Sequence, residues 1–174
     1  MVAVEIDEMA AGQAFENVRQ SQWKDSIEVV CSDITKYNID EVKFDIIVCN
    51  PPFFRDSLRS PNAVRSQARH NDSLSYEKLA DTVLRLLAND GTFNLVLPFD
   101  MADTFTLIAA RRGLYMSKRT KVVTRQGVAP KRVLLSFVKQ QIVHVEEDEL
   151  VMFDSNNAET LDYISLVKDF YLKY

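Results

Sequence analysis

The chain has 174 residues, of which 47% are hydrophobic, and its formal net charge is −4 at pH 7. These values are typical of one soluble globular domain, and no apolar run is long enough to span a membrane. The acidic N-terminus has too few consecutive apolar residues for a signal peptide. Both cysteines lie in apolar runs, which predicts reduced, buried thiols in a cytoplasmic protein, and the two isolated histidines predict no metal site.

The hydrophobic pattern predicts strands alternating with helices. A strand over residues 1–6 precedes a helix over 7–23, and a strand over 27–33 precedes one over 44–49. The continuous apolar run of residues 44–49 indicates burial on both faces. Polar residues 55–73 predict a loop, and the next helix begins near Ser73 and ends just before Gly91.

The second half of the chain is predicted to continue with a strand over 92–98 and a helix over 99–113 that Gly113 ends. Strands over 114–124 and 131–139 are predicted to be antiparallel neighbours. The tail is predicted to form a short strand pair, 141–147 and 149–154, and an amphipathic helix over 159–174. The whole pattern predicts a single α/β domain over residues 1–174, with a mostly parallel sheet and a terminal antiparallel strand pair.

Basic residues are concentrated in two segments despite the negative net charge. Residues 111–132 contain eight basic side chains and no acid, and residues 55–70 contain four arginines against one aspartate. Local patches rather than total charge decide nucleic-acid binding, although solvated strand and loop faces would give the same composition. The candidate RNA contacts are Arg55, Arg59, Arg65, Arg69, Arg119, Arg125, Lys131 and Arg132.

The most informative stretch is "FDIIVCNPPFF", residues 44–54, in which an apolar strand runs directly into Asn50, Pro51 and Pro52. The prolines have a fixed φ and no backbone N–H, and proline after Asn50 holds that residue extended. The turn therefore offers acceptors only, namely the Asn50 side-chain oxygen and the Pro51 carbonyl. Ligands of open α/β sheets bind at the carboxyl ends of strands, although a plain turn after a strand is the simpler alternative.

Two converging acceptors beside an aromatic ring suit a flat, conjugated amino group such as that of adenine. The lone pair of this amine is delocalised into the ring, and two accepted hydrogen bonds favour a tetrahedral nitrogen whose lone pair points at an electrophile. Phe53 is predicted to stack on the base. The candidate catalytic residues are Asn50, Pro51, Pro52 and Phe53.

The sequence "NPPF" after "FDIIVC" resembles the [Asn/Asp/Ser]-Pro-Pro-[Tyr/Phe] motif of S-adenosylmethionine-dependent amino methyltransferases. Together with "VEIDEMAAGQAFENVRQSQW", "IEVVCSDI", "PNAVRSQARH", "GTFNLVLP", "PKRVLLSF" and "FYLKY", it makes the chain similar over nearly its whole length to the bacterial tRNA(Val) adenine-N6-methyltransferases. Those enzymes modify the adenosine beside the anticodon. The resemblance implies a Rossmann-like class I methyltransferase sheet, S-adenosylmethionine as the methyl donor and tRNA as the substrate.

The same resemblance implies residues for the donor site. Glu5 would accept hydrogen bonds from the donor's ribose hydroxyls, with Asp7 as a second candidate, although an acid there also favours a helix N-terminus. Asp33 would accept from the donor's adenine amino group and Ile34 would pack on the adenine face, although Asp33 could equally be a turn or cap residue. Asn50 would complete the cofactor-binding set.

The family's chain begins earlier, with a strand and a Gly-rich turn that cradles the methionine part of the donor, whereas this sequence has no G-x-G. The resemblance therefore implies that the first strand and the Gly-rich loop are absent from this chain. We expect the isolated chain to self-associate through strands left without a neighbour. The alternatives are an inactive RNA-binding fragment or pseudoenzyme, and a methyltransferase acting on rRNA guanine, DNA adenine or protein glutamine.

Overall fold

A computed structural model describes residues 1–39, 42–51 and 74–171 of the chain. Contacts divide the chain into two compact units, Met1–Val42 and Lys43–Tyr174. The described strands are β1 (Val2–Glu5), β2 (Glu28–Cys31), β3 (Phe44–Cys49), β4 (Leu87–Pro98), β5 (Tyr115–Arg125), β6 (Arg132–Val138) and β7 (Glu146–Phe153). The described α-helices are α1 (Glu8–Arg19), α2 (Tyr76–Leu86), α3 (Ala102–Ala110) and α4 (Leu161–Val167).

The first unit is a β-α-β element in which β1 and β2 are parallel. Helix α1 begins where the Asp7 side chain accepts a hydrogen bond from the Ala10 backbone N–H at 2.8 Å, which satisfies one free donor of the first turn. The N–H of Asp7 donates in turn to Glu5 Oε1 at 2.9 Å. Strand, connecting turn and helix start are therefore tied together by two short carboxylate contacts.

The second unit contains a five-stranded sheet with the strand order β3-β4-β6-β5-β7. Strands β3 and β4 are parallel, as are β5 and β7, whereas β6 is antiparallel to both of its neighbours. The predicted antiparallel pairing of the strands around residues 114–139 is confirmed. In the part of the chain that the structure describes, β1 pairs only with β2 and β3 pairs only with β4.

The core lies between one face of this sheet and helices α2 and α3. Alternate residues of β4 and β6 project into it, and four phenylalanine and tyrosine rings pack edge to face or tilted at centroid distances of 5.3–6.3 Å. Such pairs stabilise beyond their apolar area alone. The fully buried core side chains include Val83, Leu87, Phe93, Leu97, Phe105, Leu114, Val133, Leu135 and Phe137.

The opposite face of β3 is exposed, so the prediction that this strand is buried on both faces is wrong for the described chain. Ile46 and Val48 are 67% and 74% exposed, whereas Ile47 packs against the core. Helices α2 and α3 pack on the other face of the sheet, where the core lies. The prediction of buried thiols is also wrong for Cys31, which is exposed, while Cys49 is half-buried and both cysteines are free.

Helix α2 ends earlier than the sequence predicts, because β4 begins at Leu87 without an intervening loop. Gly91 therefore lies inside β4 rather than past a helix end. A Cβ on Gly91 would lie 2.9 Å from the Phe44 carbonyl oxygen and 3.0 Å from that of Asp45. Only glycine allows β4 to pass this close to β3, at the irregular point in their register.

The predicted strand pair in the tail is also wrong, because the structure has one strand, β7, parallel to β5. Opposite charges flank this pairing: Lys118 Nζ lies 2.6 Å from Glu146 Oε1 and 3.2 Å from Asp148 Oδ2. Hydrogen bonds from the Thr120 and Lys118 side chains lower the pKa of Asp148. The last helix, α4, is shorter than predicted.

The other predicted strands and helices of the described chain are present, with bounds shifted by a few residues, and α3 ends before Gly113, which has φ +90°. The predicted loop over residues 55–73 lies outside the described residues. No helix in the described ranges is long and apolar enough to cross a membrane.

Candidate active site

Because β3 and β4 are parallel, their carboxyl ends lie at the same edge of the five-stranded sheet. We call this edge the carboxyl edge and define it by Asn50 and Pro51 after β3, by Pro98–Asp100 after β4, and by Lys131 and Arg132 at the start of β6. Cys49 lies opposite Leu95, and Pro98 lies opposite Arg132. The sheet thus brings the Asn-Pro turn and part of the later basic segment to one edge.

Asn50 is exposed, and its side chain has no hydrogen-bond partner among the described residues, whereas Pro51 is buried. The amide therefore remains available to a ligand, while the proline that fixes its backbone is held by packing. An unpaired amide at a strand's carboxyl end is the arrangement expected of a binding group. Pro52 and Phe53, the other two predicted catalytic residues, lie outside the described residues.

Cys49 is the last residue of β3 and directly precedes this turn. Burial raises the pKa of its thiol to about 11, so the side chain is uncharged at neutral pH. An uncharged thiol is a poor nucleophile, and no cationic group of the described chain activates it. Cys49 therefore supports the turn by packing against the core rather than by chemistry.

The second turn of the carboxyl edge, Pro98–Asp100, is held from both sides. The N–H of Phe99 donates to the Lys131 carbonyl oxygen at 3.2 Å. The guanidinium of Arg119 lies 5.5 Å from the centroid of the Phe99 ring and 3.1 Å from Asp103 Oδ1. The sequence analysis missed this turn, although an acid directly after a strand end, as in "LPFD", was a visible signal.

The predicted RNA contacts of the later segment have different environments. Lys131 and Arg132 are exposed at the carboxyl edge. Arg125 is exposed at the end of β5 and donates to Asn157 Oδ1 at 2.5 Å. The side chain of Arg119 is only 17% exposed and is engaged by Phe99 and Asp103, which favours a structural role over phosphate binding. The four predicted contacts of the earlier segment, Arg55, Arg59, Arg65 and Arg69, lie outside the described residues.

In the first unit, the residues predicted to bind the methyl donor, S-adenosylmethionine, lie at one end of the β1–β2 pair. Glu5 pairs with Cys31, and the Ser32 N–H donates to the Glu5 carbonyl oxygen at 2.9 Å, so Asp33 follows directly beside it. The Asp7 N–H holds Glu5 Oε1, while Oε2 has no partner among the described residues. Asp7, the second ribose candidate, is instead the cap of α1.

Asp33 is engaged in a turn. Its Oδ1 accepts from the Thr35 N–H at 2.9 Å and from Thr35 Oγ1 at 2.8 Å, and Oδ2 lies 4.0 Å from Lys36 Nζ. This geometry favours the turn role that the sequence left open, although the side chain is still about one-third exposed. Ile34 is half-buried. Its partly exposed side chain remains suited to packing on a flat ring.

The residues predicted to bind the methyl donor, Glu5, Asp33 and Ile34, fit the nucleoside part of S-adenosylmethionine. A carboxylate with one oxygen fixed and the other open, as in Glu5, suits ribose hydroxyls at a strand's carboxyl end. A partly exposed acid and an apolar side chain follow on the neighbouring strand, where an adenine would lie beside the ribose. Whether Asp33 and Ile34 contact the adenine stays a prediction.

Comparisons with known proteins identify the family of the chain. A family model described as the RMKL-like methyltransferase domain matches residues 1–102. The chain is 45% identical over 177 residues to a Bacteroides fragilis protein named tRNA1(Val) (adenine(37)-N6)-methyltransferase, covering 99% of this chain and 73% of that protein.

Two solved structures show the same fold at low identity. The first is a predicted O-methyltransferase from Agrobacterium tumefaciens, with a TM-score of 0.72 and 16% identity, covering 96% of this chain and 76% of that one. The second is the glycopeptide N-methyltransferase MtfA in complex with S-adenosylmethionine, with a TM-score of 0.59 and 13% identity, covering 80% and 77%. The predicted class I methyltransferase fold is confirmed, and the chain belongs to the tRNA1(Val) (adenine(37)-N6)-methyltransferase family.

Proposed function

We propose that this protein transfers a methyl group from S-adenosylmethionine to the N6 amine of an adenosine in tRNA, in the cytoplasm. The observation that carries the proposal is the Asn50–Pro51 turn, which presents at the carboxyl edge an exposed amide that has no partner among the described residues. The names of the relatives specify adenine 37 of a valine tRNA, and we adopt that nucleoside as the target.

In this mechanism the protein acts on the amine through fixed acceptors. Asn50 Oδ1 and the Pro51 carbonyl oxygen each accept one N–H of the target, which favours a tetrahedral nitrogen with its lone pair directed away from the ring. Because the Pro51 ring fixes its own φ and the proline that follows restricts Pro51 to extended conformations, little reorganisation is needed as the reaction proceeds. After the N–C bond forms, the amine carries one proton too many, and this proton leaves to solvent.

The donor is bound by residues of the first unit. Bound S-adenosylmethionine would supply an electrophilic methyl group on a sulfonium centre, whose methyl–sulfur bond would break as the N–C bond forms, with the neutral thioether S-adenosylhomocysteine as the leaving group. Glu5 would hold the ribose through its open carboxylate oxygen; its other oxygen is fixed by the Asp7 N–H, which limits side-chain motion. Asp33 and Ile34 orient the adenine. These residues bind and position the donor and take no part in proton transfer.

The tRNA backbone is bound by exposed basic side chains. Lys131 and Arg132 flank the carboxyl edge, and Arg125 lies at the end of the neighbouring strand. Phosphate contacts of this kind hold the substrate in register without reading its sequence. Arg55, Arg59, Arg65 and Arg69 directly follow the catalytic turn in the sequence, and we assign them to the same backbone contact.

We further propose that the isolated chain self-associates through β3. The exposed side chains of Ile46 and Val48 continue the open face of the sheet, on which a concavity of about 260 Å³ includes Val48 and Leu134 in its lining. A flat, apolar edge strand pairs readily with another chain. In sizing chromatography, the apparent mass should rise with protein concentration, and Val48→Lys should abolish that rise; a monomer at all concentrations contradicts this proposal.

Methyl transfer is tested directly with S-adenosylmethionine labelled in its methyl group and transcripts of a valine tRNA. Label should enter the RNA and digest to N6-methyladenosine. A transcript with guanosine in place of the target adenosine is the control and should take up no label. Equal labelling of both transcripts contradicts the assigned nucleoside, and no labelling of either contradicts the activity.

A further inference from the structure

Asp100 is an exposed acid at the carboxyl edge, and the mechanism above does not use it. It lies in the short 3₁₀ turn Phe99–Met101 directly after β4. Its carboxylate forms no ion pair or hydrogen bond with any residue in the described ranges. Nearby Asp103, by contrast, is paired with Arg119 at 3.1 Å. Asp100 is therefore an open acceptor on an edge whose other exposed charges, Lys131 and Arg132, are basic.

The backbone that carries Asp100 is fixed at several points. Pro98 restricts the chain before the turn, and the Phe99 N–H donates to the Lys131 carbonyl oxygen at 3.2 Å. The Phe99 carbonyl accepts from the N–H of Ala102, where α3 begins. Arg119 stacks on the Phe99 ring. An acceptor on such a turn is preorganised, which lowers the entropic cost of binding a donor.

A carboxylate at an RNA-binding edge repels phosphates. A specific hydrogen bond from the RNA to that carboxylate can offset the repulsion. Its charge also acts on Tyr76, the first residue of α2: burial, and secondarily the Asp100 charge, raise the pKa of the Tyr76 hydroxyl. Tyr76 is itself fixed edge to face on Phe105, with ring centroids 5.3 Å apart. The acid therefore lies among fixed groups, and its exposed oxygens are open to a hydrogen-bond donor on the substrate.

An adenosine inside an RNA strand offers only two kinds of hydrogen-bond donor. The first is the exocyclic amine, whose two N–H groups are used by Asn50 and Pro51 in the proposed mechanism. The second is the ribose 2′-hydroxyl, because the 3′ and 5′ oxygens are esterified. This hydroxyl is also the group by which proteins distinguish RNA from DNA.

The spacing of the two turns suits the two ends of one nucleoside. Cys49 lies opposite Leu95, so Asn50 falls at the level of Val96 on the neighbouring strand. The strand continues for only two more residues, about 7 Å, before the turn that carries Asp100. We propose that Asp100 accepts a hydrogen bond from the 2′-hydroxyl of the target adenosine and so selects RNA; this inference rests on the proposed function.

The experiment compares two tRNA substrates that carry adenosine or 2′-deoxyadenosine at the target position. The proteins are the wild type, Asp100→Ala and Asp100→Asn, with Asp45→Ala as a matched control. Asp45 is an exposed acid at the opposite end of the same sheet. Methyl transfer is measured under single-turnover conditions, tRNA affinity is measured separately, and melting temperatures verify that each variant is folded.

The wild type should methylate the deoxy substrate roughly 10- to 100-fold more slowly, the usual value of a hydrogen bond to a charged group. Asp100→Ala should lower the methylation rate of the ribose substrate by a similar factor. It should not lower the rate of the deoxy substrate further, so that the protein substitution and the loss of the hydroxyl are non-additive. Its tRNA affinity should not fall, because a negative charge is removed. Asp100→Asn keeps an acceptor and should be intermediate, and Asp45→Ala should behave as the wild type.

A wild type that treats both substrates alike overturns the inference, as does an Asp100→Ala variant that keeps the full preference for ribose. Should Asp100→Ala fail to fold, Asp100→Asn decides by the same ratio of ribose to deoxy rates. A wild type that methylates neither substrate refutes the proposed function itself. The two failures are therefore distinguishable within one experiment.

Discussion

The two edges of the five-stranded sheet both carry polar and basic side chains, but the structure uses them differently. At the edge where β3 and β4 begin, Lys43 Nζ donates to the Arg85 carbonyl at 2.7 Å and Lys139 Nζ donates to that of Leu87 at 2.8 Å. Gln140 donates to the Asn89 carbonyl at 2.7 Å. These donors satisfy carbonyl groups where α2 passes directly into β4, which leaves no room for a capping loop.

At the carboxyl edge, the side chains of Asn50 and Asp100 are instead left open. Asn50 and Asp100 have no hydrogen-bond partner among the described residues, and the Lys131 side chain forms no ion pair with them. The backbones beneath these groups are fixed by prolines and by short hydrogen bonds. The two edges carry similar residue types and differ in whether the hydrogen bonds of these side chains are satisfied, and we use that difference to assign structural and functional roles. Each of the following changes tests that division.

The largest effect is expected for Asn50→Ala at the carboxyl edge. Removing one oriented acceptor from the reacting amine should slow methyl transfer by on the order of 100-fold or more. Donor and tRNA affinities should be retained, because the amide acts on the target nitrogen. Single-turnover rates and separate binding titrations measure the two effects, and an unchanged rate would falsify the assigned role of the turn.

Gly91→Ala should cause the largest loss of stability at the opposite edge. Its Cβ would lie 2.9 Å and 3.0 Å from two backbone oxygens of the adjacent segment, so the strands must move apart. Overpacking of this kind costs about 1–3 kcal/mol of unfolding free energy. Gly12→Ala is the control, because its Cβ meets nothing within 4 Å in α1 and alanine favours helix. Urea unfolding measures the unfolding free energy of both variants. Equal stabilities would contradict the close approach of β3 and β4 at Gly91.

Lys131→Glu should weaken tRNA binding without destabilising the fold. If its side chain contacts a phosphate, the slope of log affinity against log salt concentration should fall in magnitude by about one. Arg111→Glu is the matched charge reversal, because Arg111 is exposed just after α3 and away from the carboxyl edge. Equal weakening by both substitutions would mean that only net charge matters.

Lys139→Met should destabilise the protein without affecting tRNA affinity. The substitution keeps most of the aliphatic stem but removes the donor to the Leu87 carbonyl, which costs about 1 kcal/mol of unfolding free energy. Arg111→Met serves as the control because Arg111 has no hydrogen-bonded or ionic partner through its side chain in the described chain. A loss of tRNA binding in Lys139→Met would contradict the structural role of this edge.

The smallest effect concerns the Cys49 thiol and appears only at high pH. Burial raises its pKa from 9.0 to about 11, so the folded state holds the proton more tightly than the unfolded state. The stabilisation is fully present below pH 9 and is lost as the pH rises towards 11. The stability difference between wild type and Cys49→Ala should therefore shrink over this range. A difference that grows with pH would show that the thiolate is favoured in the fold.

The sequence alone determined much of the fold and the chemistry of the turn. Apolar runs separated by helical periodicity predict the α/β pattern, since burial of a strand or a helix face requires that spacing. Proline after Asn50 fixes the local backbone whatever the rest of the chain does. The "NPPF" motif and its flanking segments therefore indicated an amine-directed methyltransferase, and the relatives confirm that family.

Tertiary structure decided which of the residues with similar sequence contexts remain accessible to a ligand. Gly91 has the sequence context of a helix end, but the direct passage from α2 to β4 places it in a strand. Arg119 has the same composition signal as Lys131, yet packing against Phe99 and Asp103 occupies it. The register of β3 with β4 determines where Asp100 lies relative to Asn50. Pairings between distant segments depend on long-range packing, which local patterns in the sequence do not encode.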